Sequence, residues 1–296
     1  MNHPGEIAAA GDASPRPMPR IITNIGIAHI EFMGSREAIA QEKGALAEAI
    51  DAERLRYSEC DDDPFSGSIA NRTRARVIFA GIEEGAIRAI EVQQTSGGCE
   101  FTIVEGAHRC RAQLPVPGLH MVQNAMLAVA AGRAFGVSLE ECAAGLVSAP
   151  LTKARLQIQE IHGVQFIDDS YNANPDSMKA ALRTLVELDT DGQRIAVLGQ
   201  MLELGAESER GHREVGEAAA TLGIDHLIAI GRRSSDCASA ARTAGLKTAV
   251  AMIASEKRPS CSERDRARPG RSRSDQRQPL SRGPSACWKN SPNASR

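Results

Sequence analysis

Residues 164–178 read Val-Gln-Phe-Ile-Asp-Asp-Ser-Tyr-Asn-Ala-Asn-Pro-Asp-Ser-Met in a chain of 296 residues. Residues 164–167, which include Val164, Phe166 and Ile167, predict a strand that ends at two acidic residues. A helix is predicted from Pro175 to Leu188, because proline is well tolerated at the first helical position, where its missing N–H would have had no partner. The stretch therefore predicts a strand, a polar loop and a helix in succession, which is the start of a β–α–β unit.

The same alternation continues toward the C-terminus. Strands and helices follow one another with short links, which favours right-handed β–α–β connections and a parallel sheet. The chain from about residue 150 onward is therefore predicted to be an α/β domain with a mostly parallel sheet. Its further predicted strands are 195–198, 226–230 and 248–253, and its further predicted helices are 207–222 and 235–244.

The chain before residue 150 has a different pattern. A short strand comes first, followed by a helix that Ser35 can cap. Turns that contain glycine then separate four strands of a small meander, and two helices follow. The change in pattern predicts a domain boundary near Ala149 to Thr152. The predicted strands are 21–25, 74–80, 86–94, 100–104 and 109–114, and the predicted helices are 35–50, 119–135 and one that begins after Ser138.

Composition excludes several classes of protein. Hydrophobic residues make up 42% of the chain and the mean hydropathy is −0.27, which indicates a globular protein rather than a disordered or collagen-like chain. No apolar run approaches the roughly 18–20 residues that cross a bilayer, and the first residues lack the apolar run of a signal peptide. The seven cysteines are scattered and form no CxxC pair, which argues against a disulfide framework or a zinc site. We therefore expect a protein of the reducing cytoplasm.

Residues 256–296 differ from the rest of the chain. They contain 9 Arg and 2 Lys against 2 Asp and 2 Glu, and they have no Val, Ile, Phe or Met. Such a segment buries too little apolar area to offset the entropy of ordering it. Three interpretations stay open, namely a basic arm for nucleic acid, a solvated disordered tail, and a translation in the wrong reading frame.

Four motifs carry a resemblance to a known family. Residues 23–31 read Thr-Asn-Ile-Gly-Ile-Ala-His-Ile-Glu, and residues 42–44 read Glu-Lys-Gly. Residues 168–178 belong to the stretch quoted first, and residues 198–208 read Leu-Gly-Gln-Met-Leu-Glu-Leu-Gly-Ala-Glu-Ser. Together they resemble the Mur ligases from Met1 to about Ala254, and the two longer motifs resemble the branch that transfers D-alanyl-D-alanine.

The resemblance implies a fold and an activity. Residues 1–149 would be part of the family's central ATP-binding domain, and residues 150–255 its Rossmann-like C-terminal domain. We expect residues 256–296 to be a disordered basic tail that is translated in the wrong reading frame. The implied enzyme forms an amide between UDP-N-acetylmuramoyl-tripeptide and D-alanyl-D-alanine through an acyl phosphate, in peptidoglycan synthesis. ATP and Mg²⁺ are the implied cofactors. A cytoplasmic monomer with no membrane or nucleic-acid partner is expected.

The resemblance also implies roles for five residues. Lys43 matches a lysine that is carbamylated in the family and then holds Mg²⁺, and His29 matches a histidine beside that metal. Asn124 matches an asparagine near the adenine, Arg155 an arginine that reaches the phosphates, and Asp169 an acid that contacts the ribose. Taken singly, residues of these types are more often structural. The motifs contain His29, Lys43 and Asp169, Asn124 matches within residues 120–125, and Arg155 matches singly. Taken together, these five matches favour one cleft that holds all five.

Some features of the family do not occur in these residues. No GxxxxGK[ST] phosphate-binding loop is found, and a magnesium-binding glutamate of the family would precede Met1. We therefore expect a chain that is shortened at its N-terminus, has a change of reading frame near Ser255, and is inactive alone. Two alternatives stay open, namely another Mur or folylpolyglutamate synthase-like ligase, and a non-catalytic binding module with a basic tail that binds nucleic acid.

Overall fold

The computed structural model describes residues 3–7, 20–49, 56–60, 63–95, 97–148, 155–253 and 286–290. These residues form two six-stranded sheets, one built mainly from each half of the chain, with helices packed against them. The α/β class predicted from the sequence is confirmed. The predicted domain boundary near Ala149 to Thr152 lies outside the described residues.

The first half contains six strands and five helices within the described ranges. They are β1 (Arg20–Ile22), α1 (Ile30–Met33), α2 (Arg36–Glu48), β2 (Arg56–Cys60), α3 (Ser66–Ala70), β3 (Arg76–Ile82), β4 (Ile87–Thr95), β5 (Gly98–Glu105), β6 (His108–Leu114), α4 (Leu119–Ala134) and α5 (Leu139–Val147). The strand order is β1-β2-β3-β4-β5-β6. Neighbours are parallel from β1 to β4 and antiparallel from β4 to β6. Of the four strands predicted as a meander, β4, β5 and β6 form one, whereas β3 pairs parallel with β4, and all four belong to a larger mixed sheet.

Helix α4 covers this sheet through one apolar stripe. Val122, Met126 and Val129 recur at helical spacing, and each is at most 1% exposed. Full burial of such a side chain contributes about 1.5–3 kcal/mol. Asn124 falls between these positions in sequence and is exposed. The stripe fixes α4 across β3 and β4, and it leaves the Asn124 side of the helix accessible.

The second half of the chain forms the other sheet. Its elements are β7 (Gln157–Ile161), β8 (Val164–Asp168), α6 (Pro175–Glu187), β9 (Arg194–Leu198), α7 (Ser208–Thr221), β10 (His226–Ile230), α8 (Ser234–Thr243), β11 (Thr248–Met252) and β12 (Ala286–Asn290). The strand order is β11-β10-β9-β12-β8-β7. Strands β9, β10 and β11 are parallel, as the alternation predicted. The sheet as a whole is mixed, because β12 runs antiparallel to both β8 and β9, and β7 pairs antiparallel with β8.

Strand β12 differs from the prediction of a disordered tail over 256–296. Residues 286–290 pair on one side with β8 and on the other with β9. Main-chain hydrogen bonding on both sides stabilises a strand whatever its composition, and composition was the ground for predicting disorder. The rest of the predicted tail, residues 256–285 and 291–296, lies outside the described residues.

The elements that sequence patterns did not predict are short. They are β2, α1, α3, β7 and β12, none longer than five residues. Strands β7 and β8 form a hairpin whose turn consists of His162 and Gly163, and both residues have positive φ. Within the described ranges, no helix has the length and apolar character needed to cross a bilayer.

Candidate active site

The segment that follows β1 is held by three charged side chains. Arg36 Nε donates to the carbonyl oxygen of Ile25 at 2.6 Å, and Lys43 Nζ donates to that of Asn24 at 2.6 Å. Both cations come from α2. The Ile25 N–H donates to the carboxylate of Asp63 from the opposite side. The main chain at the start of the motif 23–31 is therefore fixed by charge-assisted hydrogen bonds, which are stronger than neutral ones.

Lys43 lies in an environment that disfavours its charged form. Burial lowers the pKa of Lys43, and the nearby charge of Asp63 opposes this effect. A lower pKa raises the fraction of neutral amine, which is the form that reacts with carbon dioxide. A carbamate nitrogen would keep one hydrogen, so that the bond to the Asn24 carbonyl could persist. These residues therefore fit the carbamylation that the resemblance implies for Lys43.

His29 joins the two halves of the molecule. Its Nδ1 is hydrogen-bonded to Oε2 of Glu203, which follows β9 in the second half of the chain. The N–H of Glu31 donates to the carbonyl oxygen of Glu203 at 3.2 Å. His29 and Glu203 both adopt left-handed backbone conformations, with φ of 62° and 60°. The motif 23–31 and the motif 198–208 thus meet through a side-chain and a main-chain contact.

A second contact between the same halves lies at the start of α6. Asn174 caps this helix by accepting from Ser177 N at 2.9 Å. A Cβ at Gly26 would lie 3.0 Å from Oδ2 of Asp176, so this glycine lets the carboxylate approach the main chain. Lys179 lies between Asp176 and Glu214, at 3.8 and 3.3 Å. The N-terminal end of α6 therefore faces the segment that carries His29.

A cleft of about 470 Å³ opens between these two halves. Its charged lining residues come from α2, α6, the turn before α7, and α7 itself. They are Arg36, Glu37, Asp176, Lys179, Glu207, Arg210 and Glu214. Several of these charges pair with one another, since Lys179 lies 3.3 Å from Glu214 and Arg210 lies 2.6 Å from Glu207.

Arg155 and Asp169 lie together at the beginning of the second half. The guanidinium carbon of Arg155 is 4.2 Å from the centre of the Tyr171 ring. Leu156 N donates to Oδ1 of Asp169 at 3.3 Å. Burial raises the pKa of Asp169 to about 6, while the Leu156 hydrogen bond and the Arg155 charge work in the opposite direction. The Arg155 cation therefore lies beside a carboxyl group that is mostly ionised at neutral pH and becomes protonated just below it.

The loop that carries Glu203 is organised by a buried histidine. His212 is 3% exposed, and its Nε2 accepts from Met201 N at 3.1 Å. Its Nδ1 donates to the Ser208 carbonyl oxygen at 2.6 Å. Burial lowers the pKa of His212. A neutral imidazole with its proton on Nδ1 therefore connects both ends of the loop between β9 and α7.

The structure places the five predicted residues in three locations. His29 and Lys43 flank the segment after β1, Arg155 and Asp169 begin the second half, and Asn124 is exposed on α4. The expectation that all five share one cleft stays a prediction. Among the described residues, no group of three His, Cys, Asp or Glu side chains is arranged to hold a metal. Lysine is not one of those four residue types. A carbamate at Lys43 would therefore be a further candidate metal ligand in addition to His29.

Sequence reasoning gave no role to Glu203, Asp63 or His212. Glu203 belongs to a motif that was recognised, and that membership was the available signal. Its partner His29 lies far away in sequence. Asp63 belongs to no recognised motif, and its bond to Ile25 N depends on the packing of α2 and α3. These contacts connect residues that no local pattern relates.

Two family models match the chain in succession. The model described as "Mur ligase middle domain" matches residues 1–132, and that described as "Mur ligase, glutamate ligase domain" matches residues 154–270. The chain belongs to the Mur ligase family. Its two matched regions correspond to the two sheets described above, and the junction His29–Glu203 connects them.

Named relatives of this Mur ligase chain agree with one another. It is 34% identical over 236 residues to the UDP-N-acetylmuramoyl-tripeptide–D-alanyl-D-alanine ligase of Escherichia coli strain K12, an alignment that covers 79% of this chain and 52% of the relative. The ligase of the same name from Bacillus subtilis strain 168 is 34% identical over 217 residues, which cover 73% of this chain and 46% of the relative. The chain spans about half the length of the curated relatives it matches.

Solved structures show the same relationship. A crystal structure of MurF from Acinetobacter baumannii matches with a TM-score of 0.78 and 32% identity, over 86% of this chain and 54% of that one. The structure of MurF ligase from Thermotoga maritima in complex with ADP has a TM-score of 0.69 and 22% identity, over 85% of this chain and 61% of that one. This second match shows the shared fold.

Proposed function

We propose that this chain belongs to an ATP-dependent ligase that joins D-alanyl-D-alanine to UDP-N-acetylmuramoyl-tripeptide. It would contribute residues that bind the nucleotide and residues that bind magnesium. The observation that carries the proposal is the contact between the motifs 23–31 and 198–208 through His29 and Glu203. Both motifs resemble those of the family, and the relatives with that name share 34% identity. The reaction belongs to peptidoglycan synthesis, and we propose that it takes place in the cytoplasm on a monomer.

Arg155, Asp169 and Asn124 are proposed to bind ATP. The planar guanidinium of Arg155 suits the anionic oxygens of phosphates, and its stacking on Tyr171 limits the orientations it can adopt. The Asp169 carboxylate would accept hydrogen bonds from ribose hydroxyls. Asn124 is exposed on α4 and can offer both a donor and an acceptor to adenine. The relative from Thermotoga maritima was solved with ADP, which supports a nucleotide site in this fold.

Lys43, as a carbamate, and His29 are proposed to hold Mg²⁺. A bound magnesium ion neutralises phosphate charge during phosphoryl transfer. Carbamylation replaces an amine with an anion that offers two oxygen atoms, the ligand type that magnesium prefers. The lowered pKa of Lys43 supplies the neutral amine that this modification needs. Arg36 and Asp63 fix the adjacent main chain, so that Lys43 and His29 keep their positions.

The proposed chemistry has two steps. The terminal carboxylate of the tripeptide attacks the γ-phosphorus of ATP, which gives an acyl phosphate and ADP. The amine of D-alanyl-D-alanine then attacks the acyl carbon, inorganic phosphate leaves, and the amine loses a proton. Positioning and charge neutralisation account for most of the rate enhancement in phosphoryl transfer. The residues named above would supply both.

Nucleotide binding can be tested on the 296-residue chain itself. Calorimetric titration with ADP should show binding, and Arg155→Ala should weaken it at least about tenfold, which is about 1.4 kcal/mol. Arg109→Ala removes an exposed arginine from β6 and is the matched control. Wild-type protein that does not bind ADP, or equal losses in both variants, would contradict the proposed nucleotide site.

The amide-forming reaction can be tested in a chimera, because the chain spans about half the length of its relatives. A chimera that places the N-terminal region of the Escherichia coli relative before Met1 should release phosphate from ATP when UDP-N-acetylmuramoyl-tripeptide and D-alanyl-D-alanine are both present. Lys43→Gln in this chimera should abolish the release, because glutamine cannot be carbamylated. Phosphate release that depends on glutamate instead of D-alanyl-D-alanine would favour a folylpolyglutamate synthase-like activity.

A further inference from the structure

We propose that Glu203 is a positioning residue that sets the orientation and tautomer of the His29 imidazole across the junction between the two sheets. The inference rests on the proposed function in one respect, which is the metal-side role of His29. It starts from the hydrogen bond between His29 Nδ1 and Glu203 Oε2. The side chains are 28% and 40% exposed, so the contact is partly shielded from water.

The backbone holds both partners in unusual conformations. His29 and Glu203 have φ of 62° and 60°, a region that residues other than glycine seldom adopt because it is strained. The bond from Glu31 N to the Glu203 carbonyl oxygen fixes the main chain at the same place. Gly205 lets this loop approach closely, since a Cβ there would lie 3.2 Å from the Cβ of Glu31. The side-chain contact is thus imposed by backbone geometry from both sides.

The chemistry of the contact selects one form of the ring. An ionised carboxylate accepts hydrogen bonds and cannot donate them, so Nδ1 of His29 must carry the proton. In the neutral imidazole, Nε2 then presents a lone pair away from Glu203. Histidines that bind metals are commonly held in this way by a carboxylate on their other nitrogen. Because Glu203 follows β9 and His29 follows β1, the ring is set correctly when the two halves of the chain are in contact.

The experiment measures the tautomer directly. Protein labelled with ¹⁵N in its histidine rings is examined by NMR at pH 8, which is above the pKa of free imidazole side chains. His29→Asn identifies the His29 signals, since asparagine tolerates a positive φ. Wild-type His29 should be almost entirely in the form protonated on Nδ1. Glu203→Ala should reduce the population of that form several-fold.

Two further variants separate the side-chain contact from the backbone. Glu83→Ala makes the same change at an exposed glutamate that also has a left-handed conformation, φ 65°, and it should leave the His29 signals unchanged. Glu203→Gln keeps an acceptor oxygen at the same distance and should retain the form protonated on Nδ1. If Glu203→Ala does not fold, Glu203→Asn replaces it, because its side chain is one methylene too short to reach the ring.

The outcomes decide between distinct failures. An unchanged His29 tautomer in the Glu203→Ala or Glu203→Asn protein would overturn the proposal, and so would an equal change in Glu83→Ala. ADP titration of the same proteins provides a separate readout for the proposed function. If wild-type protein does not bind ADP, the proposed nucleotide site is refuted and the tautomer result is unaffected. A tautomer that does not depend on Glu203 would refute only the positioning role.

Discussion

The half-buried carboxyl group of Asp169 is expected to make the stability of the folded protein depend on pH. Burial raises its pKa from 3.8 to about 6. Between these two values the unfolded chain releases a proton that the folded chain retains. The free energy of unfolding therefore falls as the pH rises from about 4 to about 6, and this contribution is constant above that range.

The size of the effect follows from the two pKa values. A difference of one pKa unit corresponds to about 1.4 kcal/mol, so the shift of Asp169 represents at most about 3 kcal/mol. Asparagine has nearly the same shape, carries no charge, and keeps an oxygen that can accept from Leu156 N. At pH 7.5 the variant Asp169→Asn should therefore be more stable than wild type by up to about 3 kcal/mol. At pH 4 the two proteins should be nearly equal.

Urea denaturation of the full chain at pH 7.5 and at pH 4 measures this difference. Asp191→Asn changes an exposed carboxylate in the turn before β9, and it should alter stability by less than about 0.5 kcal/mol at both pH values. A variant Asp169→Asn that is less stable than wild type at pH 7.5, or a gain that is independent of pH, would refute the argument. The same substitution should weaken ADP binding, because it removes the proposed carboxylate partner of the ribose.

Two structural predictions concern helix packing and capping. A Cβ at Gly216 would lie 2.1 Å from the carbonyl oxygen of Cys237, so Gly216→Ala should destabilise the α7–α8 contact by about 1–3 kcal/mol or more. Gly145→Ala meets no atom within 4 Å and should stabilise α5 by about 0.5–1 kcal/mol, and urea denaturation distinguishes the opposite signs. Asn174→Ala removes the cap of α6 and should cost about 1 kcal/mol. An unchanged thermal midpoint would contradict this last prediction.

Local patterns predicted the elements that local physics determines. The proline at the start of α6 and the serine before α2 placed these helices within about two residues of their observed bounds. The weakly apolar strand β7 was missed, since Gln157–Ile161 has an exposed face and depends on its hairpin with β8. The position of β12 could not be predicted, because it is determined by pairing with strands far away in sequence.

The candidate site shows the same division. Motif resemblance identified Lys43 and Asp169 as candidate site residues, and in the structure the pKa of Lys43 is lowered and that of Asp169 is raised. These shifts arise from burial, which spacing along the chain does not report. The partner of His29 was inside a recognised motif, yet only the packing of the two halves brings Glu203 to it.

Strand β12 also determines when the second sheet can be completed during synthesis on the ribosome. The β7–β8 hairpin reaches the parallel strands β9 to β11 through residues 286–290, which the ribosome adds after all of the others in that sheet. Until those residues emerge, β8 and β9 each present an unpaired edge that can join with another nascent chain. These two edges are therefore where mispairing of this sheet can begin before synthesis is complete.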